Sequence, residues 1–412
     1  MTIDTLTQHE AHRWFEVRDD VLHVGGRSII DIAAEAGGRP FYVYDRRVMS
    51  EKVRELRSTL PREIHLHYAL KANPMPDVAR HMRSLVDGFD VASIAEMEVA
   101  LEAGVPADDI SFAGPGKSED ELRRAAAAGI TINIESQREL DFLSALPQAH
   151  ARPRIAVRVN SDFELKTSGM KMGGGPKQFG VDAELVPAML RSLADRPLEF
   201  RGFHIFSGSQ NLRPEAIIEA QRKSLALAIE LAQSAPGPVH SLNLGGGLGI
   251  PYFPGERSLD LAPIAENLRE LVPQARAQLP QAELILELGR YLVGESGVYC
   301  CQVLDRKISR GHVYLVTNGG LHHHLAASGN FGQVLRKNYP VVVANHVRGA
   351  AREVASVVGP LCTPLDLLAD RMELARAEPG DWIAVLQSGA YGYSASPLAF
   401  LSHPGPAQIV VG

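Results

Sequence analysis

Eight short runs of β-forming apolar residues, separated by amphipathic stretches, constrain this chain more than any other feature. The runs are HLHYAL (65–70), FDVAS (89–93), ISFAG (110–114), ITINIES (130–136), RIAVRVN (154–160), GFHIFSG (202–208), SLNLGG (241–246) and LILELG (284–289). Between them lie segments of helical period such as AELVPAMLRSLADR and SEDELRRAAAAG. The second opens on a Ser118 cap with Glu119 and Asp120 in its first turn, where carboxylates oppose the positive end of the helix dipole. Strand–helix alternation favours parallel βαβ units, and eight of them in about 250 residues predict a closed (β/α)8 TIM barrel. A doubly wound open sheet is the structural alternative.

After about residue 290 the pattern changes to strand-like runs with few long helices: SGVYCCQVL, GHVYLVT, PVVVANHV, EVASVVG, DWIAVLQ and AQIVVG. These predict a second, mostly antiparallel β-domain. WFEVRDDVLHV and FYVYD, between residues 14 and 44, also read as strands that join it. The expected division is a barrel over 41–289 and a β-domain from 1–40 and 290–412. With 45% hydrophobic and 22% charged residues the chain can bury a core. A net charge of −6 without a basic stripe speaks against nucleic acid and for a small-molecule partner.

Barrel enzymes carry their chemistry at the C-terminal ends of strands, and the unusual residues lie there. Lys71 follows HYAL, an apolar setting that disfavours a charged lysine and leaves a nucleophilic amine. His204 sits within GFHIF, and Glu287, Gly289 and Arg290 end the eighth run in LELGR. Taken singly, these also read as a surface lysine, a core histidine and a structural ion pair. Gly245, Gly246 and Gly247 open GGGLG, whose backbone can approach a phosphate closely. Ile250 stands where a dinucleotide fingerprint needs its last glycine, and Ser111 where a P-loop before GPGKS needs its first, so both of those motifs fail. Together a lysine, a flat histidine, a glycine cradle and a Glu–Gly–Arg terminus are parts that hold pyridoxal phosphate.

The set resembles a known family, the fold-type III, alanine-racemase-like pyridoxal-phosphate decarboxylases, which include diaminopimelate and ornithine decarboxylases. The matching pieces are HYALKAN at Lys71, FDVAS at Asp90, GFHIFSGSQ at His204 and Ser207, LNLGGGLG, LELGR, VVGPLC at Cys362 and SGAYGYSASP at Tyr391. The resemblance implies an obligate homodimer in which Cys362 reaches the partner's active site. It implies cofactor contacts from Lys71, Asp90, His204, Ser207, the three glycines, Glu287, Gly289, Arg290 and Tyr391, with the phosphate held by Ser207, the glycines, Arg290 and Tyr391. Glu287 would keep the pyridine nitrogen protonated, and Cys362 would protonate the α-carbon after carbon dioxide leaves.

Departures from the family bear on the substrate. Basic-amino-acid and diaminopimelate decarboxylases place an acid after the cysteine to bind a distal ammonium; here that residue is Thr363. Losing that charge-assisted hydrogen bond removes roughly 1.5–3 kcal/mol, or one to two orders of magnitude in affinity. The arginine and tyrosine used for the distal carboxylate have no match in NGGLHHHLAASGNFG (318–332). SGMKMGGGPKQFGVD (168–182), GPLCTPLD and FLSHPGP look closest to decarboxylases of carrier-tethered aminoacyl groups, as in butirosin biosynthesis, and to exosortase-associated ones. Asn318 replaces a usual aspartate.

His322, His323 and His324 are assigned to the substrate pocket with Thr363 rather than to a metal, because consecutive residues of a strand face opposite ways. The expected activity is α-decarboxylation of an amino acid or carrier-tethered aminoacyl group. The alternatives are a diaminopimelate-type decarboxylase, a racemase, or a non-catalytic homologue; racemases of this type pair the ring nitrogen with arginine, and Glu287 favours decarboxylation. The three cysteines form a poor disulfide framework, and no leader or run of about 18 apolar residues is present, so a cytoplasmic, membrane-free enzyme is expected.

Overall fold

The computed structural model describes residues 8–10, 12–147, 152–163, 170–171, 174–333 and 335–412. Part of the SGMKMGGGP insertion therefore lies outside the described residues. Two compact units divide the chain: Lys52–Gly249 with Leu259–Gly289, and Met1–Glu51 with Ile250–Ser258 and Arg290–Gly412.

The first unit is a closed barrel of eight parallel strands. In chain order they are β1 (Ile64–Ala69), β2 (Gly88–Val91), β3 (Ile110–Phe112), β4 (Thr131–Ile134), β5 (Arg154–Asn160), β6 (Glu199–His204), β7 (Ser241–Asn243) and β8 (Glu283–Leu288). Each pairs with the next, and β8 closes the ring on β1 with Glu287 opposite His67. All eight runs read from the sequence are strands, as the alternation of β-branched runs with capped helices requires. The helix after β3 shows how the boundaries are set. Ser118 and Glu121 form a capping box at its start, and Gly129 ends it in a left-handed conformation.

The lower interior of this barrel is polar, where layers of branched apolar side chains are the usual filling. Ser111 Oγ donates to Asp90 Oδ1 at 2.5 Å, Asn133 Nδ2 donates to Ser111 Oγ at 3.2 Å, and His67 Nδ1 lies 3.4 Å from Asp90 Oδ1. Burial alone would lower the His67 pKa, but Asp90 beside it holds it above the ordinary histidine value.

The second unit is built on a sheet in the order Val341–Val343, Trp382–Val385, Gly297–Ser309, His312–Thr317, Arg352–Val358, Leu367–Ala375. Its pairings are antiparallel except that of His312–Thr317 with Arg352–Val358 and that of Ala407–Val411 with Phe41–Asp45. Phe41–Asp45 also pairs antiparallel with Gly297–Ser309. FYVYD is thus a strand of this sheet, and the barrel unit begins at Lys52 where the sequence reading began it at 41. The segment 250–258 also groups with the β unit. Leu367–Ala375, unread in the sequence, pairs with Arg352–Val358. Phe15, Leu22, Val24, Ile29, Ile32, Phe41 and Val43 pack with Val298, Trp382 and Val411 in one core, which ties residues 15–43 to the C-terminal half. Among the described residues no helix is long and apolar enough to cross a membrane.

Candidate active site

At the top of β1 the chain makes a 3-10 turn, Leu70–Ala72, that swings Lys71 out of the strand. β8 ends beside it. A Cβ on Gly289 would lie 2.9 Å from Ala72 Cβ, so only glycine lets the LELGR turn pass this closely. The outcome is a bond from Lys71 Nζ to Glu287 Oε1 of 2.9 Å. The other carboxylate oxygen, Oε2, lies 3.1 Å from His204 Nε2 without the alignment of a hydrogen bond, so both ring nitrogens of His204 stay unpartnered. Glu287 is 5% exposed. Burial alone would raise its carboxyl, but Lys71 and His204 together hold it well below the usual carboxylate range. The apolar setting expected for Lys71 is not what surrounds it: its side chain is 44% exposed and paired to a carboxylate. HYAL is apolar because the strand is buried, whereas the lysine stands in the turn beyond it.

The glycine run is set by its neighbours. Asn243 Oδ1 accepts the Gly245 N–H at 2.8 Å and bends the chain as it leaves β7. Gly245 and Gly247 then take φ of +71° and +79°, which suits glycine. Gly247 accepts from Asn211 N at 2.8 Å, and a Cβ on it would lie 3.1 Å from Gly208 O, so the run lies flat against the SGSQN segment. In that segment Ser207 is buried and its Oγ has no partner. A flat imidazole, an open hydroxyl, a side-chain-free backbone turn and a lysine–glutamate pair stand at the ends of β1, β6, β7 and β8. The donor set fits a flat pyridine ring bearing a phosphate and an aldehyde. Asp90 lies lower in β2, its carboxylate occupied by Ser111 and His67 through Oδ1 and unpartnered at Oδ2.

In the β unit, Arg290 Nη1 donates to Tyr252 Oη at 3.0 Å, and its guanidinium stacks 4.6 Å from the centre of the Tyr391 ring. Tyr391 has φ +56°, strained for a bulky residue, and Arg290 Nε is buried without a partner. The open Nε leaves the guanidinium able to take an anion. Tyr252, in the short segment grouped with this unit, was not legible in the sequence. Cys362 is exposed, whereas Cys300 and Cys301 are buried and burial pushes their thiols up, Cys301 to about 12. Thr363 Oγ1 accepts from Leu365 N at 3.3 Å. Asn318 Oδ1 accepts from Gln302 N at 2.8 Å and its Nδ2 donates to Gly38 O at 3.3 Å; an aspartate could make only the first bond.

The three histidines occupy a turn after His312–Thr317, not a strand, so the alternate-face argument does not apply to them. All three are buried. His323 bonds to Tyr299 Oη and Pro404 O, and His324 to Ser388 Oγ. His322 packs on His323 and His403 and keeps both nitrogens unpartnered. Burial, then the neighbouring histidines, drive the His322 pKa down to about 3. Among the described residues no group of three or more His, Cys, Asp and Glu is arranged for a metal.

Sequence reading also missed a buried ion network at the tops of β3, β4 and β5. Glu135 Oε1 accepts from Arg158 Nη1 at 2.9 Å and Gly114 N at 2.6 Å, and Oε2 from Gly180 N at 3.0 Å. Lys117 lies 3.1 Å from Glu139 and 4.0 Å from Glu135. Burial alone would raise the Glu135 carboxyl, but Arg158 and Lys117 hold it low. Replacing Glu135 with alanine takes the carboxylate from the buried Arg158, while Lys117 keeps Glu139, and lowers stability by about 3–5 kcal/mol, read as a lower urea midpoint.

A family model described as the pyridoxal-dependent decarboxylase, pyridoxal binding domain, matches residues 46–294. The chain is 38% identical over 380 residues to the L-glutamyl-BtrI-acyl-carrier-protein decarboxylase of Niallia circulans, covering 90% of this chain and 88% of that one. It is 30% identical to the 2-[(L-alanin-3-ylcarbamoyl)methyl]-2-hydroxybutanedioate decarboxylase of Staphylococcus aureus, covering 89% and 92%. A crystal structure of diaminopimelate decarboxylase from Helicobacter pylori with L-lysine superposes with a TM-score of 0.83 at 28% identity, covering 93% of this chain and 94% of that one.

Proposed function

Because this chain belongs to the pyridoxal-dependent decarboxylases, we propose that its substrate is an amino acid, free or tethered to a carrier protein, whose far end bears no ammonium. The enzyme is a decarboxylase and its cofactor is pyridoxal phosphate. The observation that carries the substrate reading is Thr363, a neutral residue whose hydroxyl is turned into its own loop, where an acid would meet an ammonium. The two relatives named first act on an aminoacyl carrier protein and on a compound with a carbamoyl linkage, which supports the same class.

When bound, pyridoxal phosphate supplies a ring that accepts the electron pair left as carbon dioxide departs. Lys71 would hold the cofactor through its amine. Glu287, kept ionised, would hold a proton on the ring nitrogen. His204 would stack on the ring. Ser207 Oγ and the N–H groups of Gly246 and Gly247 would bind phosphate, with Arg290 and Tyr391 contributing charge and a hydroxyl. Cys362 Sγ delivers the proton that replaces the carboxylate. A homodimer is part of this reading. Cys362 belongs to an exposed turn flanked by Leu365, 59% exposed, and the loop beside it exposes Phe331 and Leu335. Three free cysteines support a reducing cytoplasm.

The test is carbon dioxide release from a panel of free amino acids and aminoacyl carrier proteins. Glutamyl carrier protein or another neutral-ended substrate should exceed lysine, ornithine and diaminopimelate in kcat/KM. Changing Thr363 to glutamate should raise turnover of an ammonium-ended substrate by about tenfold. Robust use of diaminopimelate by the unaltered enzyme overturns the assignment.

A further inference from the structure

The turn that carries Cys362 is folded around a carboxylate that the chemistry above does not use. Asp366 is buried. Its Oδ2 accepts the Leu361 N–H at 2.8 Å, and its Oδ1 accepts the Leu321 N–H at 2.6 Å. Leu361 precedes Cys362 and Leu321 precedes His322, so one side chain fixes the backbone leading into both. The turn then closes on itself. Thr363 N donates to Leu361 O at 2.8 Å, Asp366 N to Thr363 O at 3.2 Å, and Gly359 N to Asp366 O at 3.2 Å. Two glycines make room for the carboxylate, since a Cβ on Gly320 would overlap Oδ1 and one on Gly359 would overlap Oδ2.

This architecture needs an acceptor at both ends of the side chain. Asparagine offers one acceptor and turns an N–H group against the other donor, leaving a buried amide unsatisfied. Burying a carboxylate is costly, and burial does push the Asp366 carboxyl up. Holding two separate loops in register is a return that a neutral residue could not give.

We infer that Asp366 is a positioning residue whose carboxylate clamps turn 359–366 to turn 319–324 and so sets the direction from which Cys362 Sγ delivers its proton. The inference rests on Cys362 as the proton donor. A proton delivered to the wrong carbon leaves the amino nitrogen with the cofactor, and water then supplies the oxygen of an aldehyde released in place of the amine. The aldehyde-to-amine ratio therefore reads the direction of delivery, which a loss of stability alone would not change.

Asp366→Asn should raise that ratio about tenfold with the cofactor absorbance of the resting enzyme retained, since small misplacements of a reacting group carry costs of this order or more. In the same variant, hydrogen exchange at the Leu321 and Leu361 amides should quicken, a readout independent of turnover. Gly359→Ala, which presses on the same carboxylate from the backbone, should give both changes. A native product ratio in both variants, beside aldehyde from Cys362→Ala, overturns the clamp and leaves the cysteine as donor. Clean amine from Cys362→Ala removes the donor and the clamp with it.

Discussion

Replacing Lys71 with alanine should lower kcat/KM by roughly 10,000-fold or more, because in the proposed mechanism the cofactor is held through that amine. Borohydride treatment of the native enzyme should fix the cofactor to a peptide containing Lys71, and the variant should give no such peptide. The position makes the effect specific. Lys71 stands in a 3-10 turn beyond β1 with a half-exposed side chain, so its loss opens no core cavity, and the thermal midpoint should fall only by what the lost pairing with the buried Glu287 contributes. Turnover that persists at more than a few per cent would remove Lys71 from the centre of the chemistry.

The second large effect belongs to Glu287. Glutamine there keeps the shape but removes the buried charge that faces both Lys71 and His204. In a buried setting a fixed negative charge opposite a cationic ring nitrogen is worth several kcal/mol to charge developing in the transition state, so kcat should fall by about 100- to 1,000-fold. KM should change less, since substrate contacts lie elsewhere. The sign of the pH response follows from the depressed carboxyl. Its ion pairs contribute fully above the ordinary carboxylate range and are lost only as pH falls through the much lower folded value. Glu287 therefore does not titrate between pH 5 and 8, and any inflection of the native rate profile in that window should survive in Glu287→Gln. Disappearance of the inflection in the variant would contradict the charge state assigned here.

The barrel was legible because its signal is local. Each strand is a short apolar run bounded by a cap or a glycine, and parallel strands buried on both faces keep that character whatever the rest of the chain does. The cluster proposed for the cofactor was legible for a related reason: LKAN, GFHIFSGSQ, GGGLG and LELGR all sit at strand ends, where the fold itself points side chains to one place. What escaped depends on partners far along the chain. LLADRMELA is composed of good helix formers, yet hydrogen bonds from Arg352–Val358 hold it extended. Tyr252 lies in a short irregular segment and becomes visible only through Arg290. Lys117, Glu135 and Arg158 each read as an ordinary polar residue, and their burial appears only when three loops meet. The surroundings of Lys71 were misjudged because flanking hydrophobicity describes the strand, while the turn after it decides where the amine goes.

The pairing of Phe41–Asp45 with Ala407–Val411 sets an order of events during synthesis. At 5–20 residues per second, roughly 20–70 s separate the emergence of the two strands, and the whole barrel is made in that interval. Phe41–Asp45, mostly apolar and fully buried at the end, must wait with both edges unpaired. Its other neighbour, Gly297–Ser309, also arrives only after the barrel. The nascent chain is therefore most exposed to misassociation while a finished barrel waits beside an unfinished sheet, and slowing translation beyond residue 290 should lower the yield of soluble enzyme more than slowing it before.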